Sequence, residues 1–531
     1  MILIVLIFGL SVSLFSQGLL TVPEKTQYQR TSTVNEVKVF MDSLRQKHSE
    51  LNPYRPKGSP THTETGQPLN AWRIKATQAE AVRVYINANI HAGEVEGKEA
   101  VQMLVREWLT GQHGKLQESI DLVVMPCYNA EGTDLLDPKH RPYQPNPAGG
   151  VGTRENAQGL DLNRDLMKVK TTNTQWFLAM LTDFDPHVVM DLHTTNGSYH
   201  GFYLTYAPAM APGFSPLMKL NRQLLSNVKK ELHQKSFPTF DYGNFSSEGP
   251  LLPKTTILNN AEPTSDPKSW RTFDWRPRFL TNYASLQGRL AILSEAYVYR
   301  SFEQRVLETK IFVLECLETI IKQSDSIKRI RAAAKIELPS KLPLNASLKI
   351  SERFVFDLVD PIKDNFGKVL GEKSRKQIEL PALTSYDYND WVLLPEGYLI
   401  SGDDLDTVKK HLVAHDVAYQ EISKFNLSST HWYFVEDERI ESRQPFQQIK
   451  TLSIMGYWAI PSSSEKKNLW PLAKLQKSIF VPIVKGKARL AFYLIDPRSS
   501  DGMVYWRILD PKDIIAIAPK NRHIDKVFPS E

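Results

Sequence analysis

Cysteine is nearly absent from this chain: its 531 residues include only Cys127 and Cys316. Small secreted domains held together by disulfides are rich in cysteine, so this class is excluded. Cys127 ends an apolar, strand-like run, and Cys316 lies in a helical pattern. We therefore expect each cysteine to be a small buried hydrophobic residue, and no cysteine chemistry is predicted.

Blocks of positive charge are also absent. The formal net charge is +6, but Lys and Arg are spread along the chain and form only short runs such as residues 328–331. This distribution argues against the basic stripe of a nucleic-acid-binding surface. A composition of 41% hydrophobic and 23% charged residues, without low-complexity tracts, is typical of a globular protein. At about 100–200 residues per domain, the length predicts two or more domains.

Long apolar runs are rare, and the one that stands out lies at the amino terminus. Residues 1–16 are apolar apart from small serines, and mostly polar sequence follows. This pattern predicts a signal peptide over residues 1–17 and a secreted or periplasmic protein. A retained membrane anchor is the alternative, because no Lys or Arg precedes the run, although a span usually needs about 20 apolar residues. No later segment is apolar enough to span a bilayer.

The stretch at residues 82–100 carries the first sign of chemistry. An alternating apolar run ends at Ile90, which predicts a strand followed by a turn into a helix. His91 and Glu94 stand three apart in that turn, so their side chains can converge on one point. A set of two histidines and a glutamate leaves a fourth, water-filled position on zinc. The pair alone is equally compatible with a solvated helix start.

Strands alternate with helices over the first 325 residues. An amphipathic helix at 97–109 separates strand-like runs at 82–90 and 120–126, and residues 70–76 are expected to pair with 82–90. The alternation predicts an α/β fold with a mixed, mostly parallel central sheet flanked by helices, whose functional loops lie at the carboxyl ends of the strands. His193 falls at the end of another such strand.

Further motifs follow along the chain: Asn129-Ala-Glu-Gly132, Asp161-Leu-Asn-Arg164, Asp191-Leu-His193, and Glu295 after the apolar run 291–294. With the histidine and glutamate after the first long strand, their order and spacing over about residues 30–325 resemble the zinc carboxypeptidase family. The chain is similar to a distant member of the carboxypeptidase A-like metallopeptidases.

The resemblance implies a zinc centre and a catalytic base. One zinc ion per chain would be bound by His91, Glu94 and His193. Asp161 would be the outer carboxylate that holds a ligating imidazole and fixes its tautomer. Glu295 would be the general base that takes a proton from water and passes it to the leaving amine.

The resemblance also implies residues that contact the substrate. Arg154 would polarise the scissile carbonyl, with Arg141 as the competing residue. Asn163 and Arg164 match the pair that binds a substrate's terminal carboxylate, for which a guanidinium is a planar, bidentate partner. Tyr283 is chosen, among several nearby aromatic residues, as the tyrosine that the family carries in a mobile segment before its catalytic glutamate.

Two of these assignments have alternatives in the sequence. His187 and His200 flank the predicted second histidine ligand and could replace it, although neither is followed by the same turn after a strand. Arg164 could instead form a structural salt bridge with Asp161 or Asp165.

The chain therefore divides into a catalytic domain at 18–325, a linker at 326–344 and an α+β accessory region at 345–531, in which no catalytic constellation is found. We expect a zinc metallocarboxypeptidase that hydrolyses an amide bond next to a free C-terminal carboxylate, acting on peptides or cell-wall peptide fragments. A zinc-dependent deacylase or amidohydrolase resembling the aspartoacylase group is the alternative, and an inactive peptidase-like binding protein is a third reading. No nucleic-acid partner and no membrane span after signal removal are expected.

Overall fold

A computed structural model describes residues 19–195, 197–249, 266–422, 430–443, 449–462 and 477–518. The predicted signal peptide at residues 1–17 lies outside these ranges. Among the helices that the structure describes, none is both long and apolar enough to cross a membrane.

The amino-terminal region, up to residue 336, alternates strands and helices. Its strands are β1 (Leu51–Tyr54), β2 (Ala71–Ile74), β3 (Val82–Ala88), β4 (Ile120–Met125), β5 (Val188–Thr194), β6 (Leu204–Pro208), β7 (Thr239–Asp241), β8 (Asn244–Ser246), β9 (Ser269–Arg271) and β10 (Leu290–Ala296). Its helices are α1 (Val22–Lys25), α2 (Val34–Lys47), α3 (Glu96–Leu109), α4 (Gly114–Ser119), α5 (Ala130–Thr133), α6 (Thr172–Asp183), α7 (Ser215–Gln234), α8 (Leu280–Leu286), α9 (Phe302–Lys322) and α10 (Ser324–Ile336).

Eight of these strands form one sheet, in the order β1-β2-β4-β3-β5-β10-β6-β7. The pairs β4-β3, β3-β5, β5-β10 and β6-β7 are parallel, so the predicted mixed, mostly parallel sheet is confirmed. The expected pairing of residues 70–76 with 82–90 is wrong, because β4 lies between β2 and β3. Every residue of β4 is buried, and a strand of this kind takes neighbours on both edges.

Local signals begin the helices that pack on this sheet. At α2 the side chain of Thr33 accepts from the N–H of Glu36, whose carboxylate accepts from the N–H of Thr33, and Ser301 and Gln304 form the same capping box at α9. The buried faces of α2, α3, α7 and α9 pack with apolar side chains of the central strands in one core. Both cysteines are buried and free, as predicted.

Residues 326–344 do not form an extended linker. Helix α10 occupies most of this range, because its alanines and its lysine and arginine residues favour a helix and because Ile327 and Ala334 are buried. The lysines and alanines that predict a linker in this range also favour a helix, and α10 extends across the predicted boundary between residues 325 and 326.

The carboxy-terminal region contains both strands and helices, in agreement with its predicted α+β character. Its elements are β11 (Lys341–Lys349), β12 (Glu352–Lys363), β13 (Val369–Leu383), β14 (Ser385–Leu393), β15 (Gly397–Ile400), α11 (Leu405–Ala414), β16 (Gln420–Ile422), β17 (Thr430–Arg443), β18 (Lys450–Ala459), β19 (Ser478–Pro482), α12 (Ala488–Ile495) and β20 (Ile514–Ile517). Six of the strands form a sheet in the order β16-β19-β15-β20-β17-β18, and β11 pairs with β14.

A four-stranded sheet combines strands of the two regions. Its order is β12-β13-β9-β8, and β13 runs parallel to β9, with Ala382 opposite Trp270 and Leu383 opposite Arg271. Trp270 stacks on Phe356 of β12 at a centroid distance of 5.1 Å. The two regions therefore share a sheet and an aromatic core.

A buried row of polar contacts also joins the two regions. The Tyr283 hydroxyl lies 2.6 Å from His415 Nδ1, His415 Nε2 lies 3.2 Å from His411 Nε2, and His411 Nε2 lies 2.9 Å from the carbonyl oxygen of Met167. Burial lowers the pKa of His411 to about 4 and that of His415 well below its ordinary value. Both imidazoles are therefore neutral at neutral pH.

This row predicts that acidification destabilises the chain. The unfolded chain binds protons at its histidines near pH 6.5, whereas folded His411 binds one only near pH 4. Stability is thus fully present above about pH 6.5 and falls below it, by about 2 kcal/mol for His411 alone at about pH 5. The free energy of unfolding, measured in urea from about pH 7.5 to about pH 5, should show this loss. In His415→Gln this free energy should fall less steeply with decreasing pH. Equal slopes in the parent, in His415→Gln and in the exposed control His62→Gln would contradict the explanation.

Candidate metal centre

The turn after β3 is shaped by a buried asparagine. Asn89 has a φ of 61°, in the left-handed region that asparagine tolerates better than most residues. Its Nδ2 donates to the carbonyl oxygens of His91, Ala92 and Glu94 at 3.4, 3.2 and 3.1 Å, and its Oδ1 accepts from Thr133 Oγ1 at 2.6 Å. These bonds fix both predicted ligands on one short segment. The sequence analysis missed Asn89, although asparagine after a strand is a known turn signal.

The three predicted ligands lie close together. His91, Glu94 and His193 are buried, and each offers a ligand atom within 4.8 Å of the others. Glu94 Oε1 lies 3.1 Å from His91 Nδ1, Glu94 Oε2 lies 2.9 Å from His193 Nδ1, and the two Nδ1 atoms are 3.2 Å apart. Ligand atoms about 2.0 Å from a tetrahedral zinc ion lie about 3.3 Å from one another. The cluster could therefore hold a metal ion, and its donor set fits zinc.

Carboxylates contact the outer nitrogen of each imidazole. His91 Nε2 lies 3.2 Å from Asp161 Oδ1, and His193 Nε2 lies 2.8 Å from Asp191 Oδ2. A carboxylate at Nε2 favours a proton on that nitrogen, so each ring directs its Nδ1 atom at the centre, where a metal ion would bind. Asn87 Nδ2 donates to the other oxygen of Asp191 at 2.8 Å. The sequence analysis gave no role to Asp191, although residues two apart on a strand share a face.

Opposite charges within the cluster favour the charged forms of Glu94 and His193. Burial would raise the pKa of Glu94, but the charges of His91 and Arg141 and the hydrogen bonds from both histidines hold it well below its ordinary value. Burial would lower the pKa of His193, but Asp191 and Glu94 raise it well above its ordinary value. A metal ion that binds His193 must therefore displace a proton.

Glu295 lies beside this cluster. In the parallel pair of β10 and β5, Glu295 is directly opposite His193, and it is 7% exposed. Burial raises the pKa of Glu295 to about 8; the negative charge of Glu94 acts in the same direction, whereas His193, Arg141 and Arg154 oppose it. A buried carboxyl group in this range can both accept and return a proton near neutral pH.

Both candidate arginines face the cluster. Arg154 donates from Nε and Nη2 to Asp161 Oδ2 at 3.0 and 2.7 Å, and its Nη1 lies 3.9 Å from Glu94 Oε1. Arg141 donates from Nη2 to the same Glu94 oxygen at 2.6 Å. Its Nη1 is buried and has no hydrogen-bond partner among the residues that the structure describes. The geometry thus keeps both residues as candidates for contact with the substrate.

Asn163 connects the cluster with the segment before α8. It is buried in a short 3-10 turn after Asp161, whose Oδ1 accepts from its N–H at 2.8 Å. Its Nδ2 lies 3.4 Å from His193 Nε2, and its Oδ1 accepts from the N–H of Leu280 at 2.8 Å. The side chain of Asn163 is thus fixed between a predicted metal ligand and α8.

Arg164 is partly open to solvent, with 23% of its side chain exposed. Its guanidinium carbon lies 4.1 Å from the centre of the Phe279 ring, and burial lowers its pKa to about 10. Its distance of 4.0 Å from Asp161 Oδ2 is at the outer limit of an ion pair. Asp165 instead accepts bonds from the N–H groups of Lys170 and Thr171. A purely structural salt bridge therefore accounts poorly for Arg164.

The competing histidines lie in other surroundings. His187 Nδ1 accepts from the N–H of Arg83 at 3.0 Å, and His200 packs against the rings of Tyr297 and Trp270. Burial lowers the pKa of each histidine to about 3. Neither belongs to the cluster that could hold a metal.

The predicted tyrosine lies in the contact between the two regions. Tyr283 is fully buried, and its hydroxyl is engaged with His415, so it is poorly placed to meet a substrate. Tyr242, which the sequence analysis missed, packs in a cluster with Leu293, a near neighbour of Glu295 on β10. Burial, with the charge of Glu295 as a second cause, raises the pKa of Tyr242 above its ordinary value.

Residues 37–188 match the model of the zinc carboxypeptidase family. The match confirms the resemblance, as that of a distant member. The matched range includes His91 and Glu94 and ends before His193 and Glu295, which the sheet brings beside them. No curated protein matches the sequence.

Similar solved structures are bacterial and insect carboxypeptidases. The metallo-carboxypeptidase of Pseudomonas aeruginosa is 14% identical, with a TM-score of 0.39 over 56% of this chain and 70% of that one. The metallo-carboxypeptidase of Burkholderia cenocepacia is 15% identical, with a TM-score of 0.40 over 56% of this chain and 70% of that one. Carboxypeptidase A of Helicoverpa armigera is 12% identical, with a TM-score of 0.39 over 56% of this chain and 75% of that one.

The contact between Asp191 and His193 predicts a measurable effect on metal affinity. Asp191→Asn removes the charge that holds the proton on His193 Nε2, and loss of such a partner typically weakens metal binding by about 10- to 100-fold. Zinc titration against a competing chelator should show this loss. His187→Gln, which changes a buried histidine outside the cluster, is the control. Equal zinc affinity in Asp191→Asn and the parent would refute the role of Asp191.

Proposed function

We propose that the chain is a zinc-dependent metallocarboxypeptidase that hydrolyses the amide bond next to a free C-terminal carboxylate. The observation that carries the proposal is the position of His193, which has Glu295 opposite it in the sheet and Asn163 Nδ2 at 3.4 Å. A possible metal ligand, a proton carrier and a candidate carboxylate-binding pair thus meet at one strand end. Peptides are the substrate class, and secretion or periplasmic placement stays a prediction from residues 1–17.

The metal site consists of His91, Glu94 and His193, which would hold one zinc ion per chain. The ion would supply Lewis acidity and lower the pKa of a water molecule. Asp161 and Asp191 orient the two imidazoles so that their Nδ1 atoms face the site.

Glu295 carries the proton in the proposed reaction. Its carboxylate accepts a proton from the attacking water and returns it to the amide nitrogen, which leaves as an amine. Its pKa of about 8 suits both steps, because the carboxylate is basic enough to take the proton and the acid can still give it up.

Arg154 is the proposed donor to the scissile carbonyl oxygen. Its guanidinium is fixed by Asp161, so it can stabilise negative charge that develops on that oxygen without reorganising. Arg141, with its buried Nη1, is the competing residue.

Asn163 and Arg164 bind the substrate's terminal carboxylate in this proposal. The partly exposed guanidinium of Arg164 can form a bidentate pair with a carboxylate, and the Phe279 ring beneath it restricts its movement. A carboxylate bound there would set which amide bond reaches Glu295.

The proton-carrier role predicts the effect of Glu295→Gln. Gln keeps the size of the side chain but cannot accept the proton, so we expect kcat on free-carboxylate peptides to fall by about 100- to 10,000-fold while zinc content stays unchanged. Glu315→Gln, at a buried glutamate of α9 that pairs with Lys235, is the control. Full turnover by zinc-loaded Glu295→Gln would reject the proposed mechanism. No turnover by the zinc-loaded parent would favour an inactive binding protein.

The carboxylate-binding role predicts a selective effect of Arg164→Met. A hydrogen bond to a charged group contributes about 1.5–3 kcal/mol, so KM for free-carboxylate peptides should rise by about 10- to 150-fold. Peptides amidated at the C-terminus should be poor substrates and insensitive to the change. Arg73→Met is a matched control, because Arg73 also lies over a phenylalanine ring and pairs with an aspartate. Equal turnover of free and amidated peptides would exclude a carboxypeptidase, and turnover of acylated amino acids alone would indicate a deacylase.

A further inference from the structure

Phe279 and Leu280, at the start of α8, contact the two members of the proposed carboxylate-binding pair. The Phe279 ring lies 4.1 Å below the guanidinium carbon of Arg164, and the N–H of Leu280 donates to Asn163 Oδ1 at 2.8 Å. The backbone position of residues 278–280 therefore controls where both side chains lie.

The carboxy-terminal region holds this segment from its other side. Asp501 Oδ2 accepts from the N–H of Arg278 at 2.7 Å, and Asp501 Oδ1 accepts from Arg278 Nε at 3.0 Å. The guanidinium carbon of Arg278 also lies 5.2 Å from the Tyr505 ring and 4.9 Å from the Trp506 ring. Asp501 thus fixes both the backbone and the side chain of Arg278.

Asp501 is itself held in place. Its side chain is 1% exposed, and Trp506 Nε1 donates to its Oδ1 at 2.9 Å. Removing two charged groups from water is costly, and such a pair adds geometric definition more readily than stability. This pair lies next to Phe279 and Leu280, which contact the proposed carboxylate-binding pair.

We propose that the carboxy-terminal region completes the substrate site, with Asp501 as a positioning residue that acts through Arg278, Phe279 and Leu280 on the carboxylate-binding pair. The inference rests on the proposed function, because it assumes that Asn163 and Arg164 bind a carboxylate. It gives residues 345–531 a part in substrate binding.

The effect of Asp501 should appear in substrate binding rather than in chemistry. Bidentate contact requires the guanidinium within a few tenths of an ångström of its position, and displacement of Phe279 weakens that contact. Asp501 accepts hydrogen bonds from Arg278 and Trp506, and the path from this segment to the metal ligand His193 runs through Leu280 and the 3.4 Å contact of Asn163 Nδ2. Asp501→Asn should therefore raise KM for free-carboxylate peptides by about 5- to 20-fold and leave kcat nearly unchanged.

The first experiment compares Asp501→Asn with a matched variant of the full chain loaded with zinc. Asp496→Asn is the control, because Asp496 is a buried aspartate of the same region that pairs with Arg498 and accepts from Tyr398. Binding of an unhydrolysed free-carboxylate peptide to the Glu295→Gln background, measured by calorimetry, gives a second readout. A higher KM and weaker peptide binding only in Asp501→Asn support the proposal; equal changes in both variants, or none in Asp501→Asn, overturn it.

The second experiment tests whether Asp501 acts through the carboxylate-binding pair. In an Arg164→Met background, Asp501→Asn should raise KM by a clearly smaller factor, because the guanidinium is gone and only Asn163 is left to be positioned through Leu280. The same KM increase in both backgrounds would overturn the proposal. If Asp501→Asn does not fold, Arg278→Met replaces it, since methionine removes the guanidinium that pairs with Asp501 and keeps an unbranched apolar side chain.

The two proposals fail in different ways. If Arg164→Met leaves KM unchanged in an active, zinc-loaded chain, the proposed carboxylate recognition is wrong, and the role of Asp501 falls with it. If Arg164→Met raises KM and Asp501→Asn does not, only the positioning role is wrong.

Discussion

The parallel register of β3, β5 and β10 is the constraint on which the metal centre depends. It aligns the carboxyl ends of three strands that are far apart in sequence, with Asn87 opposite Asp191 and His193 opposite Glu295. The side chains beyond those ends then meet without any strand having to bend. A slip of one residue in β5 would turn His193 to the other face of the sheet.

Pairing of charges makes such a buried cluster tolerable. Each imidazole lies between a carboxylate at its outer nitrogen and Glu94 at its inner one, and Arg154 neutralises Asp161. An isolated ion at this depth would cost several kcal/mol, whereas opposed charges with complete hydrogen bonding largely offset that cost. The charges of His91 and Arg141 hold the pKa of Glu94 well below its ordinary value against the effect of burial, whereas burial raises the pKa of Glu295 to about 8.

The sequence predicted the parts of the centre that are written as local patterns. The turn after an alternating strand pointed to His91 and Glu94, and the family resemblance added His193, Asp161 and Glu295; the sheet brings these residues close together, and their roles stay predictions. The pattern could not show which strands are neighbours, because β4 is inserted between β2 and β3 by a crossover.

Contacts between segments that are far apart along the chain also could not be predicted from the sequence. The place of Tyr283 depends on His415, more than a hundred residues away, and Tyr242 reaches the neighbourhood of Glu295 only through tertiary packing. Helix α10 was mistaken for a linker because its composition suits both. The sheet shared by β8, β9, β12 and β13 carries a consequence for how such a chain can be divided. A cut after residue 344 would remove β13, the strand beside β9, and expose an unpaired edge next to Trp270, so we expect each region produced alone to aggregate rather than fold.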